Sequence, residues 1–194
     1  MTTLHFANAR LIDPEAGTDV PGTLTVKGGA ILSRDEKAPK GAVVIDCGGK
    51  CLAPGIVDWG VKIGEPGERH RESFRSAGLA AAAGGVTTII ARPDTNPAID
   101  TPETLEFVTR RASEAPVRIR HMAALTKARE GREMTEIGFL RDAGAIAFSD
   151  VFRVSTEAKA ITRAMAYAKS LGALVVGHPQ DPGLSSGASA TSGK

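Results

Sequence analysis

A chain of 194 residues has room for one compact domain or one and a half, and its 42% hydrophobic and 24% charged content is that of a globular protein rather than a disordered one. Its 24 Lys and Arg against 22 Asp and Glu leave a net charge of +2, scattered along the chain, so composition points to neither a nucleic-acid surface nor a membrane patch. With aromatics at 4% there is no stacking platform for bases. No stretch of apolar residues is long enough for a membrane span, and Met1-Thr2-Thr3-Leu4 opens no signal peptide. Cys47 and Cys51 are the only cysteines, so the expectation is reduced thiols in a cytoplasmic protein. No second Cys or His pair follows to make their spacing a metal site.

Residues 1–51 read as short strands broken by turns: 4–12, then a turn at 13–17, then 23–26 and 30–32 around Gly28-Gly29, and 43–45 before Gly48-Gly49. This all-β stretch is too short to bury a core alone. The rhythm then changes to strand, loop, helix. Residues 52–57 read as a strand, and the Ala-rich stretch 72–83 as a helix ended by Gly84-Gly85. The β-branched run 86–90 reads as a buried strand, and Thr101-Pro102-Glu103 opens a helix to about residue 112. Strands at 117–123, 145–148 and 173–177 alternate with helices at 133–143 and 155–171. The pattern implies parallel βα units. A closed (β/α)8 barrel takes about 250 residues and only about 140 follow residue 51, so 52–182 reads as the first half of a barrel. Residues 183–194, rich in Ser, Gly and Ala, read as a flexible tail at a truncation point.

In such a fold the reactive groups sit where strands end. The first strand leads into Pro54-Gly55-Ile56-Val57-Asp58-Trp59-Gly60-Val61-Lys62-Ile63-Gly64-Glu65-Pro66-Gly67. This run resembles the P-G-x-x-D-x-H-x-H-x-R-E-P-G signature of dihydroorotases and related cyclic amidohydrolases. The resemblance implies an amidohydrolase-type (β/α)8 barrel, α/β in class and preceded by a small all-β subdomain, with two histidines holding zinc and an arginine gripping the substrate carboxylate. Here Gly60 and Lys62 stand at the histidine positions and Gly64 at that of the arginine. Glycine offers no ligand atom, and an ammonium repels a divalent metal.

The second strand ends at Arg92-Pro93-Asp94-Thr95-Asn96-Pro97, similar to the family's M-P-N-T-x-P run, with Asp94 in place of a substrate-binding asparagine. Its charge opposes an anionic substrate, unless it caps a turn locally. The fourth strand ends at Phe148-Ser149-Asp150 and the fifth at His178-Pro179-Gln180-Asp181, where the resemblance implies a metal-bridging carboxylate and a metal-binding histidine. Asp150 and His178 are therefore the candidate metal ligands, and Gly64 and Asp94 the substrate-pocket positions. No catalytic residue is assigned.

The resemblance thus implies a pseudoenzyme: a dihydroorotase-like protein of pyrimidine biosynthesis, non-catalytic, with no bound cofactor. Its expected role is as a structural partner of aspartate transcarbamoylase, or it associates with itself. One alternative is an active hydrolase of cyclic amides with zinc held by Asp150, His178 and residues beyond this chain. Another is a module that binds a small anion through Lys62 and Arg92.

Overall fold

The computed structural model describes residues 2–155 and 157–180, together with Gly187. The chain divides into two compact units, Met1–Gly55 and Ile56–Lys194.

In the first unit, β1 (Thr3–Asp13) pairs antiparallel with β2 (Thr18–Lys27), which pairs antiparallel with β3 (Ala30–Arg34). The other edge of β1 takes β4 (Val43–Asp46) and then β5 (Cys51–Leu52), both in parallel. Pairing of β1 with β2 slips between Phe6 and Ala9, where Asn8 takes φ 52°, so that His5, Ala9 and Leu11 all turn inward. His5 is buried and satisfied, its Nδ1 sitting 2.9 Å from Thr25 Oγ1. The two cysteines are free thiols. The expected strand at 52–57 is really two. Leu52 completes the first sheet, and the barrel strand begins only at Ile56. The intervening Ala53-Pro54-Gly55 breaks the run, since Pro54 has no N–H for a ladder.

The second unit is a parallel sheet in the order β6 (Ile56–Val61), β7 (Val86–Ala91), β8 (Arg118–Ala123) and β9 (Ala147–Phe148). Helices α1 (Phe74–Ala83), α2 (Pro102–Ala112) and α3 (Ile137–Asp142) connect successive strands, and α4 (Ala158–Ser170) follows β9. The first two helix starts have a local cause. Ser73 and Ser76 form a reciprocal capping box at α1, and Thr101 Oγ1 accepts from Thr104 N with Pro102 in the first turn of α2.

One face of the sheet carries the main core. Phe74, Ile89, Leu105, Val108, Ile137, Leu140 and Phe148 are almost solvent-free within one cluster. Each such side chain contributes about 1.5–3 kcal/mol by leaving water. The alternate strand residues Ile90, Met122 and Ala147 form a smaller cluster on the other face.

Three further elements differ from the sequence expectation. The helix expected from 133 starts at Ile137, because 133–135 pair back onto 125–127: Lys127 N donates to Glu133 O and Thr135 N to Leu125 O. The fourth helix begins at Ala158 instead of 155, and Ser155 Oγ bonds Gly131 O instead of capping the helix; Thr156 lies outside the described residues. The fifth strand reduces to a single parallel bridge between Phe148 and Val175, held by Phe148 N to Leu174 O and Val176 N to Phe148 O at 2.9 Å each. The tail expected at 183–194 lies outside the described residues apart from Gly187, as does Asp181.

Candidate functional site

The C-terminal ends of the strands bring the expected positions to one end of the sheet, where Lys62, Asp94, Asp150 and His178 each have a partner. At the end of β6 the pairing with β7 slips between Trp59 and Val61, and Gly60 sits in that slip with φ 83°. Open space surrounds the point where its Cβ would lie, but the left-handed backbone strains any side chain placed there. Lys62 is exposed, and its Nζ lies 3.3 Å from Glu68 Oε2. Gly64 is buried, and a Cβ on it would stand 2.5 Å from the carbonyl oxygen of Glu68. No side chain fits without moving backbone.

Glu65, next along, has a structural role. Its Oε2 accepts from Phe74 N at 3.2 Å, at the start of α1, and its Oε1 accepts from Arg111 Nε of α2 at 2.9 Å. Arg69 stands 3.8 Å away.

At the end of β7, Asp94 neither caps a turn nor presents a free charge. Arg92 grips it with two hydrogen bonds, Nε to Oδ1 at 3.0 Å and Nη2 to Oδ2 at 2.6 Å. Burial pushes the Asp94 carboxyl up, but the bonds and charge of Arg92, with that of Arg129, outweigh it and hold the group below the usual carboxylate range. The same guanidinium lies 4.7 Å over the ring of Phe152. Both cations expected to attract an anion, Lys62 and Arg92, are therefore already paired.

At the end of β9, Asp150 is buried and its oxygens are taken: Oδ1 accepts from Leu125 N at 3.1 Å and Thr126 N at 3.0 Å, and Oδ2 from Thr126 Oγ1 at 2.6 Å. It staples the loop after β8 to the end of β9. The neighbouring Val151, with φ 59°, lines the mouth instead. His178 is exposed, with Nε2 2.9 Å from Gln180 Oε1 and its ring edge-on to Phe152 at 5.3 Å.

The mouth is a cavity of about 190 Å3 walled by Trp59, Gly60, Arg92, Met122, Phe152 and His178, among others. Asp150 and His178 both line an adjoining cavity of about 290 Å3, together with Met165 of α4. Zinc takes three or four N, O or S ligands. Among the described residues no three His, Cys, Asp or Glu side chains are grouped to hold a metal ion, so the residues present do not fit that centre.

Sequence reasoning passed over three features. Val151 and Phe152 form much of the mouth wall, and Trp59 faces it from β6; nothing in their spacing singled them out. His121 is buried on β8 with neither ring nitrogen hydrogen-bonded, edge-on to Phe74 at 5.6 Å. Burial lowers its pKa to about 4. Its i, i+2 spacing with Ile119 and Ala123, both in the main core, is the signal that places it there.

The parallel half-barrel with its functional positions at the strand exits defines an amidohydrolase-type fold. L-Hydantoinase (dihydropyrimidinase) from Arthrobacter aurescens superposes with a TM-score of 0.78 at 23% identity, over 92% of this chain and 41% of that one. A dihydroorotase crystal structure gives 0.64 at 14% identity, over 94% and 52%. Residues 49–194 match the sequence profile of the Dihydro-orotase-like family, and the chain belongs to that family. It is 37% identical over 182 residues to a dihydroorotase from Streptococcus pneumoniae and 39% identical over 193 residues to one from Anaplasma phagocytophilum. In both cases it spans 43% of the relative's length.

Proposed function

We propose that this chain is a non-catalytic, dihydroorotase-like component of pyrimidine biosynthesis whose barrel serves as a scaffold for assembly, with aspartate transcarbamoylase as the partner. The observation that supports this reading is the state of the strand exits. Gly60 lies in a left-handed slip that disfavours any side chain, Gly64 is walled by backbone, Asp94 is bonded to Arg92, and Asp150 is bonded by the backbone and hydroxyl of 125–126. Lewis-acid activation of water needs ligands that hold a metal in an open geometry. The groups expected to supply that centre here are absent or engaged elsewhere.

The test is elemental analysis of the purified protein together with its behaviour on sizing columns beside aspartate transcarbamoylase. We expect less than about a tenth of an equivalent of zinc, since true zinc sites fill near stoichiometrically, no dihydroorotate hydrolysis, and a co-eluting complex. A full equivalent of zinc with turnover overturns the non-catalytic reading. Separate elution at micromolar concentrations overturns the partner.

A further inference from the structure

Beside the mouth, the segment after β8 and the segment after β9 close around a cavity of about 390 Å3 whose wall includes Arg129, Arg132 and Arg153. Glu130 is the one acidic side chain in that wall, which leaves an excess of two positive charges. Among the described residues none of the three guanidiniums has a carboxylate within ion-pair distance, in contrast to Arg92 and Lys62 close by. The Nε of Arg129 is buried with no hydrogen-bond partner. A buried donor left unpaired marks Arg129 as a side chain not fully satisfied by the protein.

The cavity is preformed. Arg153 is clamped by donating Nη1 to Ala128 O at 3.1 Å and Arg129 O at 3.5 Å, and Arg129 donates Nη1 to Asp150 O at 3.4 Å. Ser155 Oγ donates to Gly131 O at 2.5 Å, and the two loops are so close there that a Cβ on Gly131 would stand 2.8 Å from Ser155. Preorganised donors lower the entropy cost of capturing a ligand. Burial first, and then the neighbouring charge of Arg153, hold Arg129 below its usual range, against the pull of Asp94 and Asp150. An anion in the cavity relieves that repulsion.

We infer that the arginine-lined cavity between the loops after β8 and β9 is a binding site for a phosphate dianion, free or carried as a monoester. Guanidinium forks match the oxygens of a phosphoryl group bidentately, and a dianion balances the charge of the wall. The inference is independent of the proposed function, because none of the three arginines stands at a strand-exit position assigned to metal or substrate.

The test is thermal melting and 31P line broadening with inorganic phosphate and with glycerol 3-phosphate, each against chloride at equal ionic strength, on the wild-type protein and on R132E. Arg132 is exposed and hydrogen-bonds nothing among the described residues, so R132E should melt like wild type without phosphate. We expect phosphate to raise the melting temperature of the wild type, and R132E to bind at least about tenfold more weakly, the loss of one charge-assisted contact. Tighter binding of the ester than of inorganic phosphate identifies a phosphorylated metabolite as the source; equal binding identifies the free ion. Equal melting in phosphate and chloride with no line broadening, or unchanged affinity in R132E, overturns the site.

Discussion

The helix-facing side of the barrel sheet and the ends of its strands are built from the same four strands under opposite rules. On the helix side, Ile89, Leu105, Val108 and Leu140 interlock without solvent, with the unpaired His121 as the polar exception. At the strand ends, Lys62, Phe152 and His178 are exposed, and the acidic residues that do persist hold backbone: Glu65 accepts from Phe74 N, and Asp150 from Leu125 N and Thr126 N. The difference teaches that a strand-exit motif carries two kinds of residue. Some make the loop fold and some face the mouth, and in this chain Asp94 and Asp150 are bonded to neighbouring side chain and backbone.

The sharpest way to break that comparison is to put back the arginine that the family frame expects. In G64R the new Cβ meets the Glu68 carbonyl at 2.5 Å, where only backbone can give way, so the loss should be at least about 3 kcal/mol by chemical denaturation. A G64R protein that unfolds at the wild-type denaturant midpoint would show that the loop is looser than described. Next comes E65A, which leaves Phe74 N without its acceptor and Arg111 without its main carboxylate. We expect a loss of about 3 kcal/mol, because removing one member of a buried pair strands the other. E65Q should recover part of it through the Phe74 bond.

His121 extends the comparison to pH. Its folded pKa of about 4 lies below the ordinary 6.5, so the folded state resists the proton that the unfolded chain accepts. Stability is then full above pH 6.5 and falls as pH drops towards 4, by about 2 kcal/mol at pH 5. H121F should flatten that part of the pH profile without touching the mouth. An unchanged acid slope in H121F would assign it to other groups.

Much of the architecture was legible because it rests on period and punctuation. The β-branched run of β7, the Thr101-Pro102 start of α2 and the Gly84-Gly85 stop each write their own local signal. Two of the failures share one physical character: long-range pairing that overrides local pattern. Met134 is drawn into a bridge with Thr126, which delays α3, and Leu52 is captured by β1, which moves the first barrel strand. At the site, the substituted positions could be read from the frame, but not what their neighbours do. That Asp94 would be gripped by Arg92, two residues away, and that Asp150 would turn to the loop after β8 while Val151 takes the mouth, depends on backbone conformations the alphabet does not display.

Val151 carries the smallest effect and the most pointed one. A β-branched residue at φ 59° is an outlier, since its Cβ crowds the following carbonyl at a cost of about 1–2 kcal/mol. Val151 is only partly buried, so its apolar contacts recover a fraction of that cost. Asparagine tolerates the left-handed region and keeps a side chain of similar size, so V151N should raise stability by about 1 kcal/mol in a denaturant melt, one of the few changes at the mouth expected to stabilise. If V151N instead destabilises by a similar amount, the valine is held by packing in the mouth rather than tolerated there, and the exit of β9 belongs with the helix-facing core instead of with the other strand exits.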